Sequence, residues 1–282
     1  MQRQKLIKEI EKMTGLSEAS LYFQILAAIS FIVPIAIVAV YLVIKKEKFT
    51  TVLTGALTFI VFAMILEAIP KYFLMQKPGA VSTAILGNPW VLSIVGALLA
   101  GIFEETGRFV AFKYILKNRT NKSTALAYGL GHGLVEVMLI LGITSIQYLA
   151  YISLIKAGQF DAIVEQAAAL APSQAEALAA IPASLETIKL SMMPLAIIER
   201  MGAVFFHVGA SFLVFYAVRS SKKWVFPLAI ILHTLLDILA GLGQTGVITN
   251  MYVLEAIIVI YGLAVFLGAY YCTYKNSVDV NK

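Results

Sequence analysis

The chain has 282 residues, of which 60% are hydrophobic and only 13% charged, with a mean hydropathy of +0.86 and a formal net charge of +6. A soluble domain carries about 25% charged residues, so the polar surface of a soluble enzyme is missing and a bilayer is the solvent that fits. The basic residues fall in short clusters between apolar runs, which excludes a nucleic-acid surface, and the single Cys272 excludes an intramolecular disulfide or a cysteine-based zinc site.

Residues 1–18 set Leu6, Ile10 and Met13 at helical spacing beside Lys and Glu, so an interfacial segment is expected over 1–20. The apolar run that follows, 21–44, is too long for a cleaved signal and is expected to remain as a helix. A span needs roughly 20 apolar residues, and the sequence offers seven: 21–44, 51–69, 90–116, 123–146, 189–218, 224–241 and 247–272. The expected architecture is an all-α polytopic transmembrane bundle forming one integral membrane domain over 1–282. The third and fifth spans exceed the bilayer and should tilt or protrude, and the stretch 123–157 has room for a short extra segment near 147–157. Residues 158–187 are Ala-rich, contain Pro172 and Pro182 and lack Lys and Arg, as suits a short helical cap on the outer side.

Lys and Arg set the orientation. Twelve of them, from Lys45, Lys46 and Lys48 through Arg219 to Lys275 and Lys282, lie at one face and eight at the other, with Arg108 and Arg200 inside spans. The N-terminus is therefore expected outside and the C-terminus in the cytoplasm.

Ionisable groups in hydrocarbon cost at least ~2.5–3.5 kcal/mol each on insertion, so they face the bundle interior and mark function. Span three carries Glu104, Glu105 and Arg108; span four, His132 and Glu136 amid Gly129, Gly131 and Gly133; span five, Glu199, Arg200 and His207; span six, His233 and Asp237. Adjacent carboxylates diverge by about 100° on a helix, so one of Glu104 and Glu105 can pair with Arg108 while the other stays free. The glycines allow a neighbouring helix to approach closely. Counted from the proposed cytoplasmic ends, Glu104, His132, His207 and His233 all lie roughly 14–20 Å deep, near the middle of a core about 30 Å thick. All three histidines of the chain thus sit inside spans at one level, and the catalytic helices are expected within 90–241.

Such a set has two ways to activate water. Neutral imidazoles of His132, His207 and His233 can hold Zn²⁺ with an open position, or a carboxylate can act as general base while histidines stabilise the oxyanion. No Gly-x-Ser-x-Gly elbow, His-Glu-x-x-His pair or nucleotide-binding glycine loop is present.

The set Glu104-Glu105-x-x-Arg108, Tyr128-x-x-x-His132 and His233-x-x-x-Asp237 resembles the motifs of the CAAX-protease and bacteriocin-processing membrane proteases. With Gly131-His132-Gly133-x-x-Glu136 and Glu199-Arg200 ahead of His207, it is most similar to the YhfC-like family of intramembrane proteases. The resemblance covers roughly residues 95–240. It implies that Glu104 activates the attacking water with His132 as its partner, that His233 and Asp237 supply or orient the oxyanion stabiliser, and that Glu105 with Arg108 holds the site together. The chain departs from the wider pattern at Arg108, which comes one residue early, at Tyr128 in place of Phe, and at Asp237 in place of Asn. His207 has no counterpart in that core set, which leaves zinc open as a cofactor. The expected function is an intramembrane endopeptidase acting on a membrane-embedded or membrane-proximal peptide. A proton- or metal-ion-coupled transporter, or a non-catalytic immunity or regulatory protein, are the alternatives; the absence of an inverted repeat with matched broken helices speaks against transport.

Overall fold

The computed structural model describes residues 2–45, 47–170 and 172–275 and, within these, all side chains except those of residues 2–12, 170 and 172–174. The expected face of Leu6 and Ile10, and Lys46 and Lys282 of the charge pattern, lie outside the described residues and side chains. Every regular element among the described residues is helical. Seven helices are long and apolar enough to cross a membrane. They are α1 (Gln2–Lys45), α2 (Phe49–Gln76), α4 (Pro89–Ile115), α5 (Ser123–Lys156), α9 (Leu190–Arg219), α10 (Val225–Gln244) and α11 (Met251–Tyr274). Shorter helices fill the connections: α3 (Ala80–Leu86), α6 (Phe160–Leu170), α7 (Pro172–Ala179) and α8 (Ile181–Glu186).

Each sequence span has its helix, but two boundaries differ. The segment expected to lie separately in the interface is continuous with the first span, because α1 runs unbroken from Gln2 to Lys45. Its Leu16, Ala19 and Phe23 are buried in one apolar cluster with Ile152 and Leu185, which holds this stretch of the helix in place. The extra segment near 147–157 is likewise no separate element. It is the end of α5, a 34-residue helix about 51 Å long at 1.5 Å per residue.

The chain forms two compact units, one of residues 1–34 and 137–196, the other of 35–136 and 197–282. In α1 the division falls at Pro34, and in α5 it falls where the helix passes into a π-turn, Val137–Ile143. Both are places where the regular amide ladder is interrupted. In the first unit, Phe23 stacks on Tyr148 with 4.8 Å between ring centroids. The Glu18 carboxylate there accepts from the Leu190 amide at 2.9 Å and from Lys189 at 3.3 Å.

The second unit carries the polar residues. Its helices meet at glycines, as the Gly129, Gly131 and Gly133 pattern predicts. A Cβ on Gly131 would lie 2.0 Å from the Val52 carbonyl oxygen of α2, and one on Gly55 would lie 2.2 Å from that of Tyr128. Gly129 and Gly133 turn to the other side, against Val208 and Val204 of α9. The α5 backbone is thereby held between α2 and α9, which sets the depth of His132. Helix α10 docks on α4 in the same way, with Gly101 under Thr234 and Gly241 over Ser93. Against the polar layer packs an apolar core that includes Phe112, Tyr128, Phe206 and Phe215.

Candidate active site

Glu104, Glu105 and Arg108 come from α4, His132 and Glu136 from α5, Glu199, Arg200 and His207 from α9, and His233 and Asp237 from α10. Glu104, Glu105, Arg108, His132, His207 and His233 are all at most 7% exposed. The structure brings every residue expected at the site into one cluster.

Glu104 is the hub. Its Oε2 lies 2.9 Å from His132 Nε2, 3.8 Å from His233 Nε2 and 3.9 Å from His207 Nδ1. The two glutamates diverge to different partners: Glu105 pairs with Arg108, and Glu104 is left to face the histidines. Glu105 also accepts from His233 Nδ1 at 2.7 Å, which leaves Nε2 of that ring towards Glu104 and, at 3.5 Å, towards Asp237. Asp237 is the open member of the set, with its side chain 32% exposed.

His207 has the same kind of support. Arg108 Nη2 lies 3.2 Å from His207 Nδ1. A guanidinium only donates, so Nδ1 is the acceptor and the ring proton sits on Nε2. That nitrogen meets Glu136 Oε2, and Glu136 in turn accepts from Arg200 at 3.0 Å. Arg200 also pairs with Glu199. Glu199, Arg200 and Glu136 therefore form a line ending on His207. His132 has no such support: its Nδ1 is buried without a hydrogen-bond partner.

Among the described residues, Glu104, His132 and His207 each offer a ligand atom, and these atoms lie within 4.8 Å of one another. His233 approaches the same Glu104 oxygen from outside that trio. Zinc takes imidazole nitrogen and carboxylate oxygen, and its histidines characteristically hold the remaining ring nitrogen against a carboxylate. His207 meets both conditions through Glu136, and His132 meets the first by turning Nε2 to Glu104. The donor set therefore fits a zinc ion, which Glu104, His132 and His207 would hold.

Two further carboxylates belong near this layer, and the sequence reading passed over both. Glu67 on α2 is 2% exposed, pairs with Lys71 at 2.5 Å and lies within electrostatic reach of Asp237 and His233. Glu255 on α11 is 7% exposed, has a buried Oε2 without a partner and is felt by Glu199 and Arg200. The signal that could have found them is plain: each is an ionisable residue inside an apolar span.

A family model described as "YhfC intramembrane metalloprotease" matches residues 29–258, which include every residue of the cluster. Over 248 residues the chain is 33% identical to "Uncharacterized membrane protein YhfC" of Bacillus subtilis (strain 168), covering 86% of this chain and 91% of that protein. No solved structure matches. With this family match over most of its length, and with buried Glu104, His132 and His207 gathered at ligand distance, the chain belongs to the YhfC intramembrane metalloprotease family.

Proposed function

We propose that this multi-pass membrane protein hydrolyses a peptide bond of a membrane-embedded or membrane-proximal substrate at the Glu104 centre. The observation that carries the reading is the convergence of three imidazoles on one carboxylate oxygen, at 2.9, 3.8 and 3.9 Å, in a buried layer. Glu104, His132 and His207 would hold zinc, and the ion would supply Lewis acidity that polarises a carbonyl oxygen and acidifies water.

The chain's own groups then divide the proton work. A carboxylate has two acceptor oxygens, so Glu104 can face the histidines through Oε2 and take the proton of the attacking water at Oε1. His233 has Glu105 at Nδ1 and both Glu104 and Asp237 near Nε2. With carboxylates at both nitrogens it is the ring placed to carry a proton and pass it from Nε2 to the leaving amine. Asp237, partly exposed beside that nitrogen, is placed to return protons from water. Glu105 with Arg108, and Glu136 with Arg200, fix the rings. The Lys and Arg bias supports an N-terminus outside and a C-terminus in the cytoplasm.

The test is the purified protein reconstituted in liposomes with a reporter transmembrane peptide. Glu104→Gln should lower cleavage by ~10²–10⁴-fold, the range for loss of a general base, and His132→Ala should be similarly impaired. Unchanged cleavage in both variants would refute the assignment. Metal analysis of the same preparations should find one zinc per chain in the wild type and its loss in His207→Ala.

A further inference from the structure

Far from the histidines, the larger unit has a second polar concentration, at the ends of four of its helices. The C-terminus of α1, the N-terminus of α2 and the loop between α4 and α5 enclose a recess of about 380 Å³ lined by residues that include Lys45, Glu47, Lys48, Asn118, Arg119 and Asn121. That volume is within the ~300–1,000 Å³ range of small-ligand sites. Three of its lining residues are cations, Lys45, Lys48 and Arg119, and one is a carboxylate.

That carboxylate is fully engaged. Glu47 accepts from the hydroxyls of Ser123 at 2.7 Å and Thr51 at 3.2 Å, from the Lys48 amide at 3.1 Å, and from Arg119 at 3.3 Å. Arg119 is further fixed by the Thr51 and Thr50 hydroxyls at 2.7 and 2.8 Å. Burial pushes the Glu47 carboxyl up, but these hydrogen bonds and the Arg119 charge outweigh it and hold the group below the usual carboxylate range, so it stays charged. Glu47 therefore neutralises Arg119 and serves as a rigid floor. The ammonium groups of Lys45 and Lys48 have no carboxylate partner among the described residues, leaving two uncompensated positive charges at one recess.

The position selects the ligand. Lys45 ends one span and Phe49 begins the next, so the recess sits where hydrocarbon gives way to lipid headgroups. Exposed apolar side chains, Val43 and Ile44 on α1 and Tyr114 and Ile115 on α4, lie just inside those helix ends, as acyl chains would require. We infer that this recess binds a phosphate group through Lys45 and Lys48, supplied by an anionic phospholipid whose chains lie along α1 and α4. Basic recesses between transmembrane helices recognise lipid headgroups in this way. The inference is independent of the proteolytic reading, because no residue of the Glu104 layer takes part.

The experiment is native mass spectrometry of the full chain in detergent, titrated with phosphatidylglycerol, phosphatidylcholine or inorganic phosphate alone. The wild type should retain one phosphatidylglycerol in preference to phosphatidylcholine. Each surface cation contributes roughly fivefold to anionic-lipid binding, so Lys45→Gln/Lys48→Gln should weaken retention about 30-fold. Lys117→Gln, which alters a charge outside the recess, should weaken retention less than Lys48→Gln does. Displacement of the lipid by millimolar inorganic phosphate assigns the same site to free phosphate, and resistance to it assigns the site to lipid. The inference is overturned if the double variant binds as the wild type does, or if Lys117→Gln weakens binding as much as Lys48→Gln.

Discussion

His233 and His207 are each held by a carboxylate that an arginine holds in turn, yet the two supports are built over very different chain distances. Glu105 and Arg108 are three residues apart on α4, and both side chains are 0% exposed. Glu136 and Arg200 come from α5 and α9, 64 residues apart, with side chains 11% and 17% exposed. The local support is locked by helix geometry and has no contact with solvent. The distant one depends on α5 lying against α9 at Gly129 and Gly133, and its arginine has a second carboxylate, Glu199, to fall back on. Equal chemistry at the two rings therefore conceals unequal tolerance of damage.

The largest expected effect tests that inequality. Removing one partner of a fully buried ion pair costs about 3–5 kcal/mol, so Glu105→Gln should lower thermal stability strongly by leaving Arg108 uncompensated. Glu105→Gln/Arg108→Gln should recover part of the loss. Glu136→Gln should be milder in stability because Arg200 keeps Glu199, and equal destabilisation by the two single variants would end the distinction. Next in size is metal affinity. Loss of a carboxylate behind a ligating histidine costs ~10–100-fold, so zinc titration of Glu136→Gln should show weaker binding by that factor. Glu199→Gln, one step further from the ring, should change it less.

The smallest effect lies outside the membrane-spanning helices and sets the buried layer against the polar network at the helix ends. Glu47 has a carboxyl held below its unfolded value of about 4.3. A depressed folded pKa means that its stabilisation is fully present above the unfolded value and is lost as pH falls through the folded one. Unfolding of wild type and Glu47→Gln in detergent should thus differ at pH 7, by about 0.2–1 kcal/mol because solvent at the helix ends screens the pair, and converge as the pH falls below 4. A difference that persists at low pH would show that Glu47 acts through packing rather than charge.

The apolar runs are long enough that hydrogen-bond satisfaction in hydrocarbon leaves helices as the fitting structure, and so the seven spans were legible from composition and length. The Glu105–Arg108 spacing, the His233–Asp237 spacing and the shared depth of the histidines were legible for the same reason: on a helix, sequence distance is spatial distance. Other features could not be read that way. Which glutamate turns to Arg108, the meeting of Glu136 with His207, and the approach of Glu67 to Asp237 depend on how helices rotate and pack. The close contacts at Gly55, Gly101, Gly131 and Gly133 fix those rotations, and one helix's sequence does not contain its neighbour's face. The sequence by itself determined that seven helices are long and apolar enough to cross a membrane and which ionisable residues they carry. Only the tertiary structure decided that three histidines share the oxygen of Glu104, because that meeting depends on four helix faces packed together.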